Sequence, residues 1–262
     1  MAHSLNLHNI YNQLVSVLDS ANISYVKWDM NRIFSDYYSQ YLKPSQQKEV
    51  AHRYMMGLYK MLETLNQRFP KILFEGCSGG GNRFDLGILC YFPQIWASDD
   101  TDAVCRAEIQ NGYSYGYPMR TVTAHVSDCP NHQTLRRTPI ETRFNVASFG
   151  VLGYECNLND MSSSDFEAVK AQIRMYKKWR EVMQFGRFYR SKSMNDSRSG
   201  DGDALGAPGY SVLDQVPGND ISWTVVSPDK TKAVSMTMQL FTHPNTQWGV
   251  LKPVGLECDY KY

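Results

Sequence analysis

Leu7, Ile10, Tyr11, Leu14, Val17 and Leu18 recur at three- and four-residue intervals, which predicts an amphipathic helix over about 4–20, followed by a strand at 23–28. A second helix is expected from near Ser45, just after Pro44, with Val50, Tyr54, Leu58, Met61, Leu62 and Leu65 on its buried stripe and Pro70 closing it. The strand 71–75 follows at once. Further along, the pattern predicts a short helix at 85–91, a strand at 94–98 and a helix at 101–110 that Gly112 ends. A strand at 119–127, a helix at 142–149 and a strand at 151–155 come next. Ser164-Asp165-Phe166-Glu167 has the form of a capping box and opens a helix to about Gln184, with Lys170, Arg174, Lys177, Lys178 and Arg180 on its solvated face.

Short, mostly apolar strands alternating with helices mean parallel β/α units, so the fold class is α/β. About five such units are counted over 1–185, where a closed barrel needs eight strands. The expectation is a partial (β/α)8 TIM barrel. Residues 191–210 are rich in Ser, Gly and Asp and read as a loop or linker. Beyond them the grammar changes. Strands at 222–226 and 233–241 around Pro228-Asp229-Lys230 form a hairpin, and 250–258 is a further strand, so 186–262 is a small antiparallel β domain.

The polar residues that could carry chemistry stand at strand ends. In Tyr25-Val26-Lys27-Trp28-Asp29-Met30-Asn31-Arg32, alternation puts Tyr25, Lys27 and Asp29 on one face and Val26, Trp28 and Met30 on the other. A lysine two residues away keeps the Asp29 carboxylate charged. Asp29 is then either a nucleophile or half of a strand-end salt bridge. A second acidic cluster, Trp96-Ala97-Ser98-Asp99-Asp100-Thr101-Asp102, ends another strand. Retaining glycoside hydrolysis needs two carboxyl groups about 5–5.5 Å apart, one attacking and one protonating. Asp102, where a helix begins, reads as a partner of the helix dipole. Trp96 reads as a pocket wall or as core.

Between the two clusters lies Cys77-Ser78-Gly79-Gly80-Gly81, whose glycines permit positive φ and a close backbone approach. A phosphate-binding loop does not fit, because neither a G-K-[ST] nor a G-x-G-x-x-G opening a helix follows. His125 and His132 are seven apart, a spacing that does not place both on one helix turn, so no metal site is expected. Arg83 and Arg106 read as structural.

The 262 residues carry a net charge of +1, which gives no electrostatic case for nucleic acid or an acidic membrane surface. Six cysteines are spread without a C-x-x-C pair and read as reduced thiols. No apolar run approaches the roughly 20 residues of a membrane span, and no signal-peptide pattern opens the chain, so the expected location is cytoplasmic.

Four motifs, Lys27-Trp28-Asp29-Met30-Asn31, Cys77-Ser78-Gly79-Gly80-Gly81-Asn82-Arg83-Phe84-Asp85, Ser98-Asp99-Asp100-Thr101-Asp102 and Ala124-His125-Val126-Ser127, stand in one order. In that order and spacing the chain resembles the α-galactosidases of glycoside hydrolase family 36. The resemblance implies retaining hydrolysis of terminal α-galactosyl residues from oligosaccharides such as melibiose and raffinose. It makes Asp29 the nucleophile and Asp99 the acid/base, with Asp100 at a variable position. Lys27, Asn31, Cys77, Ser78, Gly79, Gly80 and Trp96 would contact the sugar, with no cofactor and no metal. It also implies a carboxyl-terminal β-sandwich and a homo-oligomer. A galactosyl-transferring or α-N-acetylgalactosaminidase relative, or a non-catalytic fragment, is the alternative. Family members are considerably longer, so the chain reads as a fragment that is inactive or weak alone. The acids that read the galactose 4- and 6-hydroxyls in the family have no counterpart here.

Overall fold

The structure is a computed structural model that describes residues 2–32, 34–192, 220–241, 251 and 253–257. The chain divides into two compact units, Met1–Trp96 and Ala97–Tyr262.

The first unit runs α1 (Ala2–Asp19), β1 (Tyr25–Trp28), α2 (Val50–Arg68), β2 (Leu73–Gly76) and β3 (Gln94–Trp96). Both strand pairings are parallel, with Lys27 opposite Glu75, Trp28 opposite Gly76, and Glu75 opposite Gln94. Leu58, Met61, Leu62 and Leu65 form the buried stripe of α2. Tyr54 does not join them. It lies one turn nearer the amino terminus, where its ring meets Phe34 edge-on at 4.9 Å and its hydroxyl accepts from Arg83 at 2.6 Å. The helix expected from Ser45 begins as a 3-10 turn, Pro44–Glu49, and becomes α-helical only at Val50. The expected helix at 85–91 shrinks to a 3-10 turn at Ile88–Cys90, opened by the Asp85 carboxylate accepting from Ile88 N at 2.8 Å. At Gly76 an added Cβ would come within 2.8 Å of Ile95 and Phe92, so only glycine lets these side chains close under the strand end.

The second unit contains α3 (Ala103–Tyr113), β4 (Val122–Ser127), α4 (Ile140–Ala147), β5 (Val151–Glu155), α5 (Ser163–Phe185), β6 (Arg187–Lys192), β7 (Asp220–Val226) and β8 (Ala233–Gln239). Strands β4 and β5 pair in parallel from Thr123 opposite Val151 to Ser127 opposite Glu155. Helix α3 runs through Gly112. One interior glycine costs about 1 kcal/mol, and buried contacts such as Gln110 Nε2 to Val146 O at 2.9 Å offset it. The cap of α5 is Ser162, not Ser164: its extended backbone leaves Oγ free to accept from Asp165 N at 3.1 Å, while Ser164 already lies in the first turn.

Strands β6, β7 and β8 make a three-stranded antiparallel sheet. Along β7, Ile221, Trp223 and Val225 share a face and pack with Val146, Phe149 and Val182 of the helical layer. Trp223 is fully buried, with Phe149 and Phe188 at 5.6 and 5.7 Å and its indole N–H on Asn111. On the opposite face Ser222 and Thr224 exchange hydroxyl hydrogen bonds with Thr237 and Ser235, directly across the ladder. Strand β6 corrects the loop expected from 191. The rest of that stretch, 193–210, lies outside the described residues. Residues 251 and 253–257 are not a strand, contrary to expectation, and turn at Gly255 with φ +81°. No helix among the described residues is long and apolar enough to cross a membrane.

Candidate active site

In the first unit the ends of β1 and β2 build a polar ledge. Asp29 follows the last residue of β1 and is exposed. Backbone hydrogen bonds lock the two strand ends beyond their ladder, Cys77 N to Trp28 O at 2.8 Å and Met30 N to Cys77 O at 3.1 Å. Ser78 Oγ donates to Met30 O at 2.7 Å. Asn31 bridges the loops: its Nδ2 donates to Asp29 Oδ2 at 2.6 Å and its Oδ1 accepts from Gly79 N at 2.6 Å. Gly79 and Gly80 adopt φ of +54° and +80°, a left-handed pair that turns the loop so that the Gly79 amide meets Asn31.

This arrangement corrects one sequence expectation. Desolvation pushes the Asp29 pKa up, but hydrogen bonds from the Cys77 thiol, the Asn31 amide and the Met30 backbone, with Lys27 the weakest contributor, hold it below the ordinary carboxylate value. Lys27 points elsewhere. Its ammonium lies 3.8 Å from Glu75 Oε1 and 4.5 Å from the centre of the Trp96 ring. Among the described residues no ion pair joins Lys27 to Asp29. The strand-end salt bridge is therefore Lys27–Glu75. Alternation along one strand identified who shares a face, whereas the register with β2 decided the partner.

Glu75 is the residue that the linear pattern missed. It is 1 % exposed, its Oε2 accepts from the Tyr25 hydroxyl, and Gln94 Nε2 reaches Tyr25 Oη at 2.9 Å and Glu75 Oε2 at 3.5 Å. Lys27, Glu75 and Gln94 stand in one row across three strands. A glutamate inside an apolar strand was the available signal.

The second unit holds the acidic cluster on the loop that enters α3. Asp102 is 1 % exposed and caps the helix, its Oδ1 accepting from Val104 N and Cys105 N at 2.9 and 3.1 Å. Thr134 donates to Oδ2 at 2.9 Å and Arg136 pairs with Oδ1. Burial would raise its pKa, but the Cys105 amide, Thr134, Arg136 and the Val104 amide outweigh it and hold it low. Asp100 Oδ1 accepts from Asp102 N at 3.0 Å and Asp100 N donates to Ser98 Oγ at 3.1 Å, so the loop is a chain of side-chain-capped turns. Under it, Arg106 is 2 % exposed and donates to Ser98 O and Thr123 O. Desolvation lowers its pKa to about 10, against the opposing pull of Asp100, Tyr113, Asp99 and Glu155. Asp99 thus sits in a loop pinned before and after it. His125 pairs with Glu155 at 3.0 Å, and no metal-ligating cluster occurs among the described residues.

Parallel β/α units with polar side chains gathered beyond the carboxyl ends of strands define the site class of a (β/α)-barrel enzyme. The family model described as Melibiase matches residues 1–186, and the chain belongs to that family. It is 46% identical to alpha-galactosidase 1 of Pediococcus pentosaceus over 97% of this chain and 32% of the relative. The crystal structure of the α-galactosidase from Lactobacillus brevis superposes with a TM-score of 0.86 at 41% identity, covering 96% of this chain and 31% of that one. A variant of the family 36 enzyme AgaA from Geobacillus stearothermophilus, solved in complex with raffinose, gives a TM-score of 0.84 at 40% identity over 96% of this chain and 32% of its own. The chain thus spans about a third of the length of these relatives. Its fold is, as expected, a partial (β/α)8 barrel followed by a small antiparallel sheet.

Proposed function

We propose that this chain contributes the nucleophile and the acid/base of a retaining α-galactosidase acting on oligosaccharides of the raffinose type. The observation that carries the reading is Asp29: an exposed carboxylate at a strand end, kept ionised by aimed donors and not tied up in an ion pair. The raffinose bound to AgaA, a relative at 40% identity, supports the substrate class.

In this reading an Asp29 oxygen attacks the anomeric carbon while the bond to the leaving oxygen breaks and that oxygen takes the Asp99 proton. Water then gives its proton to Asp99 and displaces Asp29 from the sugar, restoring both carboxyl groups with net retention. Asn31 and the Ser78–Gly80 loop hold the attacking group and the sugar, and Lys27 over Trp96 offers N–H donors beside an aromatic wall. The division at 185/186 into catalytic and β portions, the cytoplasmic location and a homo-oligomeric assembly belong to the same proposal, supported respectively by the change of strand grammar, by five free cysteines among the described residues and by the family resemblance.

A fluorinated galactosyl donor tests it. The donor is added to a hybrid in which this chain replaces the matching third of AgaA, and the labelled peptide is sequenced. The expected product is one galactosyl adduct on Asp29. Labelling elsewhere, or none in a folded hybrid, overturns the assignment.

A further inference from the structure

Lys27 and Asp29 lie two residues apart at the end of β1, close enough in sequence for the ammonium to close on the carboxylate. It does not. Register places Glu75 beside Lys27 and Gln94 beside Glu75, and the buried glutamate is fixed from its other side by the Tyr25 hydroxyl and the Gln94 amide. At 3.8 Å the ammonium is attracted to Glu75 without forming a short hydrogen bond, and the Trp96 ring at 4.5 Å supplies a second attraction in the same direction. A glutamate this deeply buried gains most as an anion when a cation faces it.

We infer that Glu75 is a positioning residue that competes with Asp29 for Lys27: it holds the ammonium over Trp96, so the nucleophile stays outside an ion pair and the lysine's donors face the sugar. The inference rests on the proposed role of Asp29, but the placement of Lys27 is measurable without turnover. With Glu75 neutralised, the nearest carboxylate along the strand is Asp29, and the lysine would mask the group that must attack.

The test uses the full chain, 15N-labelled, and the side-chain ammonium resonance of Lys27, assigned by its disappearance in Lys27→Arg. The expected result is that Asp29→Asn leaves this signal in place, that Glu75→Gln shifts it, and that only in Glu75→Gln does the further change Asp29→Asn shift it again. A Lys27 resonance that shifts on Asp29→Asn alone overturns the inference. Asp29 is exposed, so Asp29→Asn decides the question even if Glu75→Gln fails to fold. In the AgaA hybrid, Glu75→Gln is expected to slow covalent labelling of Asp29 at least tenfold with little change in the donor concentration at half-maximal rate. A wild-type hybrid that does not label would remove the catalytic reading and leave the Lys27 result standing; labelling at an unchanged rate in Glu75→Gln would remove the inference alone.

Discussion

Asp29, just past the end of β1 in the first unit, and Asp102, the N-cap of α3 in the second, both have a lowered pKa, and their surroundings differ in kind. Asp102 has both oxygens engaged, one by two backbone amides and Arg136 and the other by Thr134, and it is sealed from solvent. Asp29 is exposed, with small donors arrayed around it, and Lys27, two residues away in sequence, is drawn to Glu75. The same direction of pKa shift therefore marks a helix cap in one place and an exposed carboxylate outside an ion pair in the other. Exposure and the location of the counter-charge separate them, not the shift itself.

The largest effect that this comparison predicts is on turnover. In the AgaA hybrid, Asp29→Ala is expected to lower hydrolysis by several orders of magnitude, with azide restoring product as the β-galactosyl azide by taking the vacated place. Asp102→Asn should keep most of its rate per folded molecule. A Asp29→Ala hybrid that turns over normally without azide erases the distinction. Asp99→Ala supplies a finer cut: aryl galactosides with good leaving groups need little protonation, so natural oligosaccharides should slow far more than these. Equal loss on both would end the acid/base assignment.

Stability should reverse the ranking. Asp102→Asn removes a charge from Arg136 and weakens the cap of α3, a loss of about 2–3 kcal/mol, most of it from the cap and the buried donors because Arg136 is 43% exposed and the pair is screened. Thermal melting of the chain is expected to fall by roughly 5–10 °C, against less than half of that for Asp29→Asn. The pH dependence has a defined sign. A folded-state pKa held below the ordinary value of 3.8 means that the Asp102 carboxylate adds stability fully above that value and loses it as pH falls through the lower, folded one. Acid unfolding of Asp102→Asn should accordingly be shallower below pH 4 than that of the unchanged chain.

Much of this was legible in the chain itself, for reasons that differ by residue. A short apolar run placed β5 on its observed bounds, and the 3.6-residue period found the α2 stripe from Leu58 to Leu65, because burial on one face is what that period encodes. The Lys27–Glu75 pair was not legible, since it depends on which residue of another strand lies opposite, and register is a tertiary fact. For the same reason β6 was hidden: Arg187–Lys192 carries Arg187, Arg190 and Lys192 around Phe188 and Tyr189, and becomes a strand by pairing with β7. The Asp102 lock was half visible, as a helix start, while Thr134 and Arg136 come from a loop more than thirty residues on.

The smallest predicted effect concerns two thiols, each beside one of the contrasted carboxylates. Cys105 lies partly buried near Asp100 and Asp102, and desolvation first, then those two acids, push its pKa up to about 11. Cys77 is buried and donates its thiol hydrogen bond to Asp29. Since the thiolate is the reactive form, neither should react quickly with iodoacetamide near pH 8, whereas the exposed Cys90 and Cys129 should be modified first. Removing one negative charge discriminates between the two protections. Asp100→Asn lowers the electrostatic barrier to ionising Cys105 and is expected to speed its alkylation a few-fold, measured by mass spectrometry of the digested chain, with no change at Cys77. For Cys77 the obstacle is burial, so Asp29→Asn should leave its rate within about twofold of the original even though its hydrogen-bond acceptor is weaker. A Cys77 rate that rises as much in Asp29→Asn as the Cys105 rate does in Asp100→Asn would mean that the two carboxylates act on their thiols alike, and the contrast drawn between an exposed, solvent-screened Asp29 and a closed acidic loop around α3 would fail at its electrostatic step.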